Sequence, residues 1–141
     1  MRVCGVEIKS NEAIICLLSK KDGLFDLPDC RQVRFQLVKD QDAESMRKFQ
    51  FTFKKFIEDY KVEHLVIKER AQRGKFAGAA VGFKIEAAMQ LIESVDVSIL
   101  SATEQKETIK RNPMPVEFAD TGLKKFQETA FTTAYAFLAY P

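Results

Sequence analysis

The chain has 141 residues, 22 Lys and Arg against 20 Asp and Glu, and a net charge of +2. This near balance excludes a strongly basic coat for non-specific nucleic-acid binding, while leaving room for a local basic patch. The length predicts one domain, 1–141, with a sizeable core. No apolar run is long enough for a transmembrane helix and no secretory signal pattern opens the chain, so a cytoplasmic protein off the membrane is expected.

Residues 2–9 and 12–19 read as two strands joined at Ser10-Asn11, a hairpin. A loop from Lys20 to Arg31 follows, with turn signals at Asp22-Gly23 and Pro28-Asp29. From Gln32 to Val38, Val33, Phe35 and Leu37 alternate with polar residues, which predicts a half-buried strand. Asp42 caps a helix running to about 60, whose apolar stripe is Met46, Phe49, Phe53, Phe56, Ile57 and Tyr60. Residues 64–68 form an apolar strand suited to a sheet covered on both faces. A basic, Gly-containing loop at 71–75, a helix over 76–93 and a strand over 95–100 come next. Thr103–Arg111 is a short polar helix broken at Asn112-Pro113-Met114-Pro115, and a last helix is expected over 120–139. Cys4, Cys16 and Cys30 are an odd set, and the first two lie in strands as small core residues, not as a disulfide framework.

Glu7 stands inside the otherwise apolar first strand, and Glu69 closes the strand His64-Leu65-Val66-Ile67-Lys68. A carboxylate within a buried strand is costly unless a cation or donors neutralise it. The two acids suggest a place where a divalent ion is held; the bland alternative pairs Glu7 with Lys9 or Lys68. Arg70, Arg73 and Lys75 follow Glu69 as a basic cluster with Gly74 and Gly78, suited to a phosphate or to plain solvation. Asp120 is placed to cap the last helix. Glu128 has Lys124 four residues before it, yet from Thr129 to Ala139 the chain carries no charge, so Glu128 stands at the threshold of a buried segment. His64 is the only histidine and is too isolated in sequence for a Ser–His–Asp arrangement; there is no zinc spacing and no P-loop.

The element order, with Gly5-Val6-Glu7 in the first strand, Val66-Ile67-Lys68-Glu69 closing the fourth and acids on the last helix, resembles the ribonuclease H-like superfamily. Within it, the chain is most similar to the Holliday-junction-resolvase branch, and also resembles a small bacterial family of this fold without an assigned function. The resemblance implies an α/β fold: a mixed five-stranded sheet, made of a three-stranded antiparallel meander and two parallel strands, with helices on both faces. It implies Mg2+ or Mn2+ ions held by carboxylates about 3.5–4 Å apart, which activate water against a phosphodiester. Glu7, Glu69 and Glu128 would be the ligands, with Asp120 as the alternative acid of the last helix. Lys9, Arg70, Arg73 and Lys75 would contact the phosphates.

The chain departs from that pattern in two ways. Glu7 replaces the usual Asp, moving the carboxylate by about 1.5 Å. Asp120 and Glu128 are not a close acid pair, since eight helical residues would separate them by about 12 Å. The first reading is therefore a metal-dependent nuclease-like protein acting on nucleic acid. The second is a catalytically silent relative that binds nucleic acid or a protein partner. The third is a site for a small anionic ligand. The resemblance also allows a homodimer, although no exposed apolar face nominates an interface.

Overall fold

The computed structural model describes residues 1–71 and 79–140. Two strands, β1 (Arg2–Lys9) and β2 (Glu12–Lys21), pair antiparallel from Arg2 opposite Ser19 to Lys9 opposite Glu12. Two short strands, β3 (Leu24–Asp26) and β4 (Arg34–Gln36), both pair with β2, at its opposite ends. The helix α1 (Ala43–Asp59) leads into β5 (His64–Lys68), which lies parallel to β1. The helix α2 (Ala80–Gln90) precedes β6 (Asp96–Leu100), parallel to β5. Two helices, α3 (Ala102–Arg111) and α4 (Glu128–Ala139), complete the chain.

The sheet therefore has six strands in the order β3-β2-β1-β5-β6, with β4 beside β2. This is the expected ribonuclease H-like plan with one strand more than predicted. The extra strand is β3, which sequence places in a loop. Asp22 and Gly23 both take positive φ, 53° and 79°, and close a two-residue hairpin that folds Leu24 back onto Lys21.

Strand alternation divides the interior into two cores. Cys4, Val6, Ile8, Ile15, Leu17, Leu65 and Ile67 face α1 and α2. Val3, Cys16, Leu18 and Val66 face the other way, onto Ala130, Phe131, Ala134 and Tyr135 of α4. Helices thus cover both faces. On the first face Phe35 meets Phe53 and Phe56 edge-on, each 5.0 Å between ring centroids. Asp42 caps α1 as predicted, its carboxylate accepting from the Glu44 N–H at 3.1 Å.

The second face depends on a close approach. A Cβ at Gly5 would overlap the carbonyl oxygen of Ala130 and lie 2.8 Å from Cβ of Ala134. Only glycine lets α4 sit this low on β1. The predicted continuous helix over 120–139 is interrupted. Residues Phe118–Thr121 and Lys125–Gln127 form single 3-10 turns, and Gly122 between them has φ 78°, which no right-handed helix contains.

Cys4 and Cys16 are buried in the sheet, as predicted. Burial raises the thiol of Cys4 well above its ordinary value and pushes that of Cys16 up to about 12. Both are thereby held in the unreactive thiol form near neutral pH. Among the described residues, no helix is long and apolar enough to cross a membrane.

Candidate functional site

Glu7 lies near the end of β1, opposite Ile14 of β2. Alternation from Val3 and Gly5 puts its side chain on the face covered by α4. It is half-buried. Among the described residues, the ion pairs are Arg31–Asp59, Arg34–Glu12 and Lys84–Asp40, so neither Lys9 nor Lys68 neutralises it. Lys9 stands exposed at the strand end.

Glu69 follows β5, and its backbone N–H donates to the carbonyl of Leu100 at 2.9 Å, extending the ladder with β6. The alternation of Leu65 and Ile67 carries Glu69 to the α1/α2 face, away from the face of Glu7. Its charge acts on Glu86 of α2, a residue that sequence reading passes over as an ordinary polar helix position. Burial raises the Glu86 carboxyl above its ordinary value; Arg70 opposes that shift and Glu69 adds to it.

Arg70 is fastened to the framework. Its Nη1 donates to the carbonyl oxygen of Ile8 at the end of β1. Its guanidinium lies 5.3 Å from the ring centroid of Phe83. A Cβ at Gly82 would come 2.5 Å from its Cζ, so the absence of a side chain on α2 makes the room it occupies. Nε of Arg70 is buried and, among the described residues, makes no hydrogen bond. Arg70, predicted as a phosphate contact, spends one donor on joining the ends of β1 and β5. Arg73 and Lys75, the other predicted phosphate contacts of this cluster, lie outside the described residues.

Asp120 does not cap a long helix. It is the third residue of the turn Phe118–Thr121, exposed, with its N–H donating to Glu117 at 3.0 Å. The reason is Gly122, which ends that turn two residues later. Glu128 is the exposed first residue of α4. It lines a groove of about 750 Å3 with Phe131, Thr132 and the segment Met114–Ala119. That flank of α4 differs from the one on which Ala130 and Ala134 press Gly5. The buried stretch after Glu128 is as expected, with Ala130, Phe131, Thr133, Ala134, Tyr135 and Ala136 all buried.

Strand parity thus directs Glu7 toward α4 and Glu69 toward α1 and α2, while Glu128 stands at the start of α4. Carboxylate oxygens are the right donors for Mg2+ or Mn2+. Nevertheless, among the described residues no three His, Cys, Asp or Glu side chains are placed to hold one ion. The described residues do not fit a preformed two-ion centre.

Sequence reading also missed the surroundings of His64. Its Nε2 lies 2.8 Å from Oγ of Ser98, on the neighbouring strand.

The architecture is similar to that of solved resolvases. A structure of Thermus thermophilus RuvC superposes with a TM-score of 0.73 at 12% identity, covering 99% of this chain and 95% of that one. T. thermophilus RuvC in complex with Holliday junction substrate gives 0.70 at 11% identity, covering 99% and 94%. Fowlpox virus resolvase with its substrate Holliday junction DNA gives 0.54 at 9% identity, covering 98% and 97%. At these identities the likeness establishes the ribonuclease H-like fold. No curated protein matches the chain. A family model matches residues 1–137, and by that match the chain belongs to the DUF3010 family, described as a protein of unknown function.

Proposed function

We propose that this protein acts on nucleic acid as a nuclease-like member of the ribonuclease H-like fold, with Glu7 as its central acid. The observation that carries this reading is the state of Glu7. It is a half-buried carboxylate on a central strand, and among the described residues it has no ion-pair partner. Burying a carboxylate without a partner is unfavourable. A residue kept at that cost is suited to a cation or a polar ligand supplied from outside. The fold supports the same direction, because two of the similar structures hold Holliday junction DNA. We assign no step to a metal ion, since no three of the described carboxylates are placed to hold one.

A second reading has its own observation. Among the described residues no three acids cluster as an ion site, and Arg70 bonds the backbone of Ile8. Both suit a relative that binds nucleic acid without cutting it. One experiment separates the two. Purified protein is mixed with labelled four-way junction, duplex and single-stranded DNA and RNA, with magnesium, manganese or chelator. The nuclease-like reading expects cleavage that needs the divalent ion and disappears in Glu7→Gln. Tight binding unchanged by chelator, without cleavage, establishes the second reading. Absence of both binding and cleavage overturns both.

A further inference from the structure

His64 opens β5, and Ser98 stands in the middle of β6. The strands are parallel, with Asp96 opposite His64 and Ser98 opposite Val66. Side chains in one register row share a face, so His64, Asp96 and Ser98 all project toward α4, as Val66 does. There Nε2 of His64 lies 2.8 Å from Oγ of Ser98. The imidazole stacks on Phe137 of α4, with ring centroids 4.3 Å apart and planes at 27°. This contact fixes the ring's plane. Ser98 also lines a cavity of about 600 Å3, whose walls include Ile99, Leu100, Phe137, Leu138 and Tyr140. The hydroxyl is thus bonded to an imidazole and borders an open groove whose walls are mostly apolar.

A serine hydroxyl is a weak nucleophile until a base within hydrogen-bond reach takes its proton. A neutral imidazole carrying its proton on Nδ1 accepts at Nε2, and that is the nitrogen facing Ser98. Burial holds the His64 pKa below its ordinary 6.5, with the charge of Asp96 working against the shift. The ring is thus neutral near pH 7. Among the described residues Asp96 makes no ion pair with His64, so the arrangement is a pair of residues and not a triad. The other charged groups on this groove are Lys20 of β2 and Glu104 of α3. The N-terminal ammonium is held by the carbonyl of Lys20 at 2.7 Å.

We propose that Ser98 and His64 form a nucleophile and base that hydrolyse small carboxylic esters whose apolar acyl group sits in this cavity. Oγ of Ser98 attacks the ester carbonyl carbon while its proton passes to Nε2 of His64. The carbon–alkoxide bond breaks, and the imidazolium returns that proton to the departing alcohol. Water then attacks the acyl-serine, giving one proton to Nε2. The bond to Oγ breaks, Oγ recovers the proton, and the carboxylic acid leaves. Ser98 and His64 involve none of Glu7, Glu69 and Glu128, and their activity is independent of nucleic-acid binding.

The test is reaction of the intact protein with an alkyl fluorophosphonate. Attack by Oγ forms a phosphorus–oxygen bond, expels fluoride and sends the proton to Nε2. The adduct is located by peptide mass spectrometry. We expect one adduct per chain, on Ser98, absent in Ser98→Ala. The labelling rate should fall about 100-fold in His64→Gln, in the range that a general base contributes. In the wild type it should rise with pH through a midpoint below 6.5. Release of p-nitrophenol from p-nitrophenyl butyrate should follow the same dependence. Folded wild type left unlabelled at Ser98 at pH 8 would overturn the proposal. So would a rate indifferent to His64→Gln in a variant whose circular dichroism is native. If that variant does not fold, the wild-type pH profile decides, and a flat profile rejects the pair.

Discussion

Gly5 of β1 lies directly beneath Ala130 of α4, in contact so close that a single methyl group on Gly5 would overlap the Ala130 carbonyl oxygen. The obstacle is backbone on both sides, so no rotamer change relieves it. Gly5→Ala should lift α4 from the sheet and cost about 3 kcal/mol, at the upper end for overpacking. Urea unfolding of the two proteins measures this directly. A difference near zero would mean that α4 rides higher than described.

Gly82 makes a useful contrast. An added Cβ there would meet the guanidinium of Arg70, which is a movable side chain and not backbone. Alanine also favours the helix by about 1 kcal/mol over glycine. Gly82→Ala should therefore cost less than Gly5→Ala, and its cost should vanish or reverse in an Arg70→Ala background. A double-mutant cycle should return a coupling of about 1 kcal/mol between the two positions. Additive effects would show that Arg70 does not occupy the space above Gly82.

Gln127 fastens the start of α4. Its buried side chain donates to the carbonyl of Ile15 at 3.0 Å and accepts from the N–H of Lys124 at 3.1 Å. Gln127→Ala leaves both partners unpaired and should cost about 2 kcal/mol. Gln127→Glu keeps the acceptor and loses the donor, so it should also destabilise. Thermal unfolding at neutral pH reads both.

Glu86 gives a pH dependence with a definite sign. Burial raises its folded pKa above the ordinary value of 4.5, with Arg70 opposing and Glu69 reinforcing. The folded state thus holds more protons than the unfolded state between those two pKa values. Stability contributed by this group then falls as pH rises through that window. Glu86→Gln should be more stable than wild type at pH 7, and the advantage should shrink as pH falls toward 4.5 and below. An advantage that is constant over pH would remove Glu86 from the account.

Glu7→Gln tests whether the central acid takes a cation. Any manganese binding that electron paramagnetic resonance detects for the wild type should be weakened at least tenfold in the variant, a change of about 1.4 kcal/mol. Equal binding by both would place any ion elsewhere.

Sequence reading and structure agree best where the determinants are local. The cap at Asp42 and the stripe of Phe49, Phe53, Phe56 and Ile57 are written within one helix, and α1 is observed as expected. The strand β3 escaped because three residues, Leu24, Phe25 and Asp26, carry no period of their own; their pairing with Ser19–Lys21 is imposed by the hairpin. The late start of α4 is marked locally by Gly122 inside the expected helix, whereas the bond that anchors its first turn, Gln127 to Ile15, spans 112 residues and has no local trace. The different faces of Glu7 and Glu69 follow from facts of the same non-local kind. Strand parity is legible once the register is known, and it sends Glu7 and Glu69 to opposite faces. The meeting of His64 with Ser98 likewise depends on the parallel register of β5 and β6.

The two fastenings at the foot of α4 also determine which changes in length the fold tolerates. Gln127 is tied to β2, and Ala130 and Ala134 must both find the bare backbone of Gly5. Adding one residue between them would turn the helix by about 100° and present a different row of side chains to β1. Insertions and deletions across 127–134 should therefore be forbidden, whereas the segment before Lys124, with its separate turns, can lengthen or shorten without disturbing the index. Natural variants of this chain should differ in length ahead of Gln127 and hold their spacing after it.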